Sequence, residues 1–499
     1  MIAGFADLSA RAGALACMAL LASAPMLAAA ATTNAAATGA PPRASLKTAA
    51  VANAIIVPGV ASIRVTTLAN GMRVIVWTDR DIPNVALYNW VRVGSRNEAP
   101  GITGLAHFFE HMMFNGTSRR APGEFDRQME AQGGANNAFT SDDVTVYQDW
   151  FPRTALELVF ELEADRLANL AFDPKVIESE RSVVFSERRF RVDDNNESFL
   201  QEQLQATAFI AHPYQIPTLG WPSDIRGWRI EDLQKFYRTH YAPNNCTLVV
   251  VGDVSADEIF ALARRHLEPI PRQEPPTPVR TREPEQVGER RIVVERKAQT
   301  PLLQLAYKAP AAADQTGPAV NLLLSVLTEG DASRLHRSLV EQQKLAISVG
   351  GYWHEGFDPS LVWFFMTLPA GGDPKALEVA IGTELQRVVD EGVTDAELRR
   401  AKNLFASGFW KSIATIDGKA RMLGEFEVLH GGYDRLFAAP AHYEAVTRDQ
   451  VRAAASDILR NARRTLGVLV PRESPPIPAG VGASRSGASA APASPAGGG

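Results

Sequence analysis

The chain has 499 residues, 45% hydrophobic and 21% charged, a globular balance that excludes a disordered chain and leaves room for more than one domain. Its 51 basic and 56 acidic residues give a net charge of −5, so no overall positive field favours a phosphate backbone and a polybasic nucleic-acid binder is excluded. Two cysteines exclude a disulfide scaffold and a Cys-rich zinc module.

In chain order, Arg11 precedes an apolar run from Ala12 to Ala31 that ends in Leu27-Ala28-Ala29-Ala30-Ala31. A basic start, an apolar centre and an A-x-A site predict a signal peptide over residues 1–31, and so export across the inner membrane to the periplasm. Its cleavage would remove Cys17 and leave Cys246 without a disulfide partner. No other stretch approaches ~18 uninterrupted apolar residues, so no membrane anchor is expected in the mature chain. Residues 32–60 and 472–499 are poor in bulky apolar side chains and are expected to be flexible.

From Ile63 to Asp79 two apolar runs flank Asn70-Gly71, the signature of a hairpin with a primed turn. Val85 to Val93 alternates as a further strand. Amphipathic helices are predicted from Gly104, from about Pro122 and over Thr154–Leu170, and another opens at Asp173-Pro174. The Pro-rich stretch 268–286 reads as a linker. Three matches cross it at nearly the same offset. Ile230-Glu231-Asp232-Leu233 is echoed by Arg448-Asp449-Gln450-Val451, the strand Thr247–Val251 by Thr465–Leu469, and the helix start at Asp173 by Thr394-Asp395. One offset shared by three pairs points to a duplication: two α+β domains, 61–267 and 287–471, each an antiparallel sheet with helices on one face.

The helix from Gly104 carries His107, Glu110 and His111, the one pair of histidines in the chain spaced i, i+4. That spacing places both imidazoles on one helix face, able to share a cation, with Glu110 beside them. The surrounding residues Leu105, Ala106, Phe108, Phe109, Met112 and Met113 predict a buried helix, where three ionisable groups need a partner to offset desolvation. H-x-x-E-H is the order of a class of zinc peptidases. In such a site the metal lowers the pKa of a bound water, and a neighbouring carboxylate acts as general base during attack on a carbonyl.

On these residues the chain resembles the pitrilysin/insulysin family of zinc peptidases, in the branch that includes the processing peptidases, and the resemblance spans nearly all of residues 60–471. It implies Glu187 as third zinc ligand and Glu180 as its supporting carboxylate, both in Glu180-Arg-Ser-Val-Val-Phe-Ser-Glu187. It also implies that Asn137, Ala138 and Phe139, in the segment from Gly133 to Tyr147, lie on an edge strand that pairs with the substrate backbone. His212-Pro213-Tyr214 and Gly220-Trp221 fit the family as well, His212 in a structural part. Zinc rests on the resemblance, since two imidazoles and a carboxylate hold several divalent metals.

The chain departs from the family where self-sufficient relatives carry an Arg and a Tyr seven residues apart. Here those positions are Val340 and Ile347, neither able to donate to a developing oxyanion. The second domain lacks H-x-x-E-H, and Ala406 stands where the duplication would place a counterpart of Glu187. The resulting expectation is the zinc-binding subunit of a metalloendopeptidase, half of a clamshell. It would act on short or unfolded peptides with Glu110 as general base, and a family partner would bring the Arg/Tyr pair in a heterodimer. The alternatives are a self-sufficient homodimer and a non-catalytic scaffold subunit with a vestigial metal site.

Overall fold

A computed structural model describes residues 60–472. The expected signal peptide and all but the end residues of the two expected flexible segments lie outside the described residues. Among those described, no helix is long and apolar enough to cross a membrane.

Two sheets form the frame. The first contains β1 (Ile63–Thr67), β2 (Arg73–Thr78), β3 (Asn84–Val91), β4 (Ala135–Thr140), β5 (Thr145–Pro152) and β6 (Cys246–Gly252), in the order β1-β2-β6-β3-β5-β4. The second contains β7 (Arg290–Arg296), β8 (Leu302–Ala309), β9 (Ser348–Trp353), β10 (Ser360–Thr367) and β11 (Arg464–Pro471), in the order β7-β11-β8-β10-β9. Without β1 the two orders are the same. Pairing is antiparallel throughout except for β2 with β6 and its counterpart β7 with β11, so the duplication read from the offset is a repeat of topology.

The Asn70-Gly71 hairpin forms, but not through the primed turn expected: Gly71 N donates to Leu68 O at 2.9 Å and Asn70 keeps a negative φ, so the loop is Ala69-Asn70-Gly71 with only its last residue left-handed. Gly71 takes φ 94°, which only glycine adopts without cost, and Ile63 pairs with Trp77. Among the helices that follow in the first half are α1 (Leu105–Met112), α2 (Glu124–Ala131), α3 (Leu156–Asn169), α4 (Pro174–Arg188) and α5 (Asn196–Ala208). Asp173 caps α4, its carboxylate accepting the Lys175 N–H, with Pro174 in the first turn. No helix or strand occupies 268–286. Within that stretch the Glu283 carboxylate accepts the N–H groups of Ile210, Ala211 and His212.

The expected helices cover one face of the first sheet, and the other half of the chain covers the second face. Along β2, Val74 and Val76 enter a core shared with α1, α3 and α4. Ile75 and Trp77 enter a core shared with Met422, Leu423 and Phe426 of the helix Ile416–Val428. Asp417, on that helix, accepts hydrogen bonds from Trp150 Nε1 (2.7 Å) and from the Tyr88 hydroxyl. The exchange is mutual, because Leu204 of α5 packs with Ala306, Leu361 and Trp363 of the second sheet, and Leu200 with Leu302 and Leu469. Burial on both faces explains why β6 reads Cys-Thr-Leu-Val-Val-Val-Gly and is buried along its whole length.

Candidate metal centre

Two devices hold α1 at its N-terminus. Gly104 sits at φ 87°, and a Cβ there would meet Leu219 O at 2.8 Å and the Trp228 ring at 3.1 Å, so no side chain fits. The buried Glu98 carboxylate accepts the N–H groups of Gly104 and Ala106, both at 2.7 Å, satisfying donors that a helix start leaves unpaired. From the sheet side the Tyr147 hydroxyl donates to Phe109 O at 3.0 Å. The helix is thereby fixed before any of its polar side chains is considered.

His107 and His111 lie one turn apart on α1 with ring centroids 4.8 Å apart. Across from them α4 presents Glu187. Its Oε2 lies 3.5 Å from His107 Nε2 and 3.2 Å from His111 Nε2, and among the described residues these three form the one group able to hold a metal ion. Three donors about 2.0–2.1 Å from one tetrahedral ion would stand ~3.3 Å from one another, so the spacing fits a cation among them. The oxygen in the middle is also an orphan: Glu187 Oε2 is buried without a hydrogen-bond partner. A carboxylate oxygen left bare between two imidazole nitrogens suits a cation better than an N–H.

Two of the three candidate ligands, His111 and Glu187, are oriented from behind, whereas His107 Nδ1 is buried without a hydrogen-bond partner. Glu180 Oε1 lies 2.7 Å from His111 Nδ1, and its Oε2 accepts from Asn115 Nδ2 at 2.8 Å. The second imidazole nitrogen is thereby occupied and Nε2 is turned toward Glu187. The other oxygen of Glu187 takes the Nε of Arg191 at 2.8 Å. Glu110 points to the same side, its Oε2 accepting the Thr140 hydroxyl at 2.6 Å.

Burial lowers the His107 pKa to about 3, with the His111 charge adding to the effect. That imidazole is therefore neutral, the state a metal ligand needs. Burial opposes the charge on His111 too, but the carboxylates of Glu180 and Glu187 override it and push its pKa up to about 9. Burial would raise Glu187, yet the two imidazoles and Arg191 hold it at about 2. Glu110 is raised by burial, which outweighs the Thr140 hydrogen bond.

Asn137, Ala138 and Phe139 lie on β4, which ends the first sheet and pairs only with β5. Thr140, the last residue of that strand, is the one bonded to Glu110, so the free edge runs directly to the carboxylate. His212 is buried, its Nδ1 accepting from Tyr214 N and its Nε2 3.1 Å from Asp358 Oδ2, away from the cluster as expected. Val340 packs against the second core, Ile347 is 58% exposed, and Ala406 lies on the helix Asp395–Ser412. Sequence reasoning missed Glu98, Asn115, Thr140 and Arg191. Two of them left a signal: Arg191 stands at i+4 from Glu187, and Thr140 lies inside the segment read as the substrate strand.

The two-lobed α+β fold with its three-donor group on the first lobe has counterparts among known proteins. The family model for Insulinase (Peptidase family M16) matches residues 73–221, and that for the Peptidase M16 inactive domain matches residues 228–405. The zinc protease PqqE of Helicobacter pylori is 32% identical over 371 residues, covering 72% of this chain and 82% of that protein. A probable mitochondrial-processing peptidase subunit beta of Arabidopsis thaliana is 33% identical over 202 residues, covering 40% of this chain and 38% of that one. The crystal structure of a protease from Helicobacter pylori superposes with TM-score 0.79 at 28% identity, over 82% of this chain and 99% of that chain. The periplasmic protease PqqL from Escherichia coli superposes with TM-score 0.69 at 19% identity, with 83% of this chain on 48% of that one. The chain belongs to peptidase family M16, the pitrilysin/insulysin family.

Proposed function

We propose that the chain is the metal-bearing subunit of a periplasmic metalloendopeptidase acting on short or unfolded peptides, with His107, His111 and Glu187 as ligands and Glu110 as general base. The observation that carries the reading is the convergence of three donor atoms, two imidazole nitrogens and the bare Glu187 oxygen between them, beside Glu110 and the open edge of β4. A divalent cation, zinc by likeness to relatives named zinc proteases, would supply Lewis acidity toward a peptide carbonyl and lower the pKa of water. A peptide laid along Asn137, Ala138 and Phe139 adds a strand to the sheet through main-chain bonds, tolerant of varied side chains. The Thr140 hydroxyl holds one oxygen of Glu110, leaving the other to accept the proton of the attacking water and return it to the leaving amine.

Val340 and Ile347 offer no side-chain donor to a developing oxyanion, so the reading includes a second family subunit that brings an Arg/Tyr pair. The test is peptide cleavage by the purified, zinc-loaded chain alone against a mixed peptide pool, with Glu110→Gln as the blank. Stoichiometric zinc without turnover, restored by a partner subunit, is the expected result. Turnover by the chain alone, abolished by Glu110→Gln and by a chelator, would replace the heterodimer with a self-sufficient enzyme. Absence of bound zinc would remove the peptidase reading.

A further inference from the structure

Immediately after Glu187 the helix changes character. Arg189–Asp193 form a π-helical turn, closed by the Asp194 N–H donating to Arg189 O at 2.7 Å. Such turns insert a residue into the helical repeat and are frequent at functional sites. This one sets Arg191 against Glu187, its Nε 2.8 Å from Glu187 Oε1 and so next to the three donors, and its charge bears on His107, Glu110 and Glu187. Its side chain remains 53% exposed.

The nearby carboxylates are engaged elsewhere. Glu187 Oε2 faces the two imidazoles, Glu180 holds His111 and Asn115, Glu110 holds Thr140, and Asp193 lies 3.5 Å from Arg188. Among the described residues Glu187 is the one ionic partner given to Arg191, through Nε. A divalent cation on Glu187 would draw on that carboxylate's charge and leave the guanidinium still less neutralised. The same segment carries two exposed apolar side chains, Val183 at 48% and Phe190 at 80%. They lie four residues before and three residues after Glu187 in the chain. Arg191 is thus a half-exposed guanidinium held next to the three donors by its bond to Glu187.

We propose that Arg191 is a specificity determinant that receives the carboxylate of an Asp or Glu side chain one or two residues from the scissile bond of a peptide substrate. The inference rests on the peptidase reading and narrows its substrate class. A strand advances about 3.3 Å per residue, so a guanidinium bonded to a metal ligand is within reach of side chains that close to the bond being cut and no farther. Guanidinium forks favour carboxylates over their amide isosteres by charge as well as by geometry. A role confined to neutralising Glu187 would alter metal affinity and leave the choice between acid and amide untouched.

The experiment uses the full, zinc-loaded chain carrying Glu110→Gln, with fluorescein-labelled peptides that differ only in Glu or Gln at each position in turn. Fluorescence anisotropy is expected to show roughly tenfold tighter binding of the Glu peptide at one or two adjacent positions, with the preference shrinking at high salt. Arg191→Gln should reduce the ratio below about twofold, and Arg191→Lys should keep part of it. Equal affinity for Glu and Gln peptides at every position, or a preference that survives Arg191→Gln, overturns the inference. Stoichiometric zinc with peptide binding but no acid preference removes this inference alone, and loss of both zinc and all peptide binding removes the peptidase reading with it.

Discussion

Replacing Glu180 by alanine tests whether the centre depends on a carboxylate that faces away from the three ligand atoms. Its Oε1 lies 2.7 Å from His111 Nδ1, its Oε2 accepts from Asn115 at 2.8 Å, and the side chain is 13% exposed. Alanine leaves His111 free to rotate and removes a base from its far nitrogen. Losing such an outer partner costs about 10–100-fold in metal affinity, or about 1.4–2.8 kcal/mol, and the burial here argues for the upper half of that range. Glutamine should fare better, though not as well as glutamate. With its oxygen on His111, its amide must face the Asn115 amide, and flipping Asn115 turns an oxygen toward His111 O, which Asn115 now bonds at 3.2 Å. A loss near tenfold follows for Glu180→Gln. Competition for zinc against a chromophoric chelator at neutral pH measures both, with near-UV circular dichroism as the folding check. Affinity of Glu180→Ala within twofold of the parent chain would refute the reasoning.

Glu98→Ala strands two buried N–H groups at the start of α1 and should cost about 2 kcal/mol or more, read as a lowered midpoint in urea. Two helical glycines should respond with opposite sign to alanine. At Gly424 the added Cβ overlaps the Trp90 indole, whereas at Gly408 it meets nothing within 4 Å, so Gly424→Ala should cost about 1–3 kcal/mol and Gly408→Ala should gain about 0.5–1 kcal/mol, as thermal melting would show. Glu397 is partly desolvated, which opposes its charge, but Arg334 and Thr394 hold its pKa at about 2 against an ordinary 4.5. A depressed carboxylate stabilises the fold above its unfolded pKa and loses that contribution as pH falls toward 2. Glu397→Gln should therefore lose about 1–2 kcal/mol at neutral pH, discounted for partial exposure, and nothing at the acid end of a urea-denaturation pH series.

Much of this was legible because the signals were local. Asn70-Gly71 marks its hairpin, Asp173-Pro174 forces its helix start, and His107 and His111 share a face because 3.6 residues make a turn. Glu187 was legible only through the resemblance. On a helix that also carries Glu178, Glu180, Arg181, Arg188 and Arg189, periodicity places 180 and 187 on one side without saying what they face. The supporting residues lie on other elements, and no spacing rule connects Thr140 to Glu110, 30 residues away. The exchange of α5 and the helix Ile416–Val428 between sheets was hidden for the same reason. An apolar stripe says that a face is covered, and the covering element is fixed by chain topology at long range.

That exchange bears on how a peptide would enter. If the two lobes of this chain opened against each other, Trp77, Tyr88 and Trp90 of the first sheet would separate from Met422, Leu423 and Phe426. At the same time Leu204 would leave Trp363, and Asp417 would lose both Tyr88 and Trp150. Each large apolar side chain so exposed costs about 1.5–3 kcal/mol, more in sum than the whole stability of a typical domain offers. The lobes are therefore held as one body, and the metal centre with its free β4 edge is presented on that body to whatever lies opposite. On the heterodimer proposed above, a partner would then have two tasks: to supply donors in place of Val340 and Ile347, and to be the part that moves.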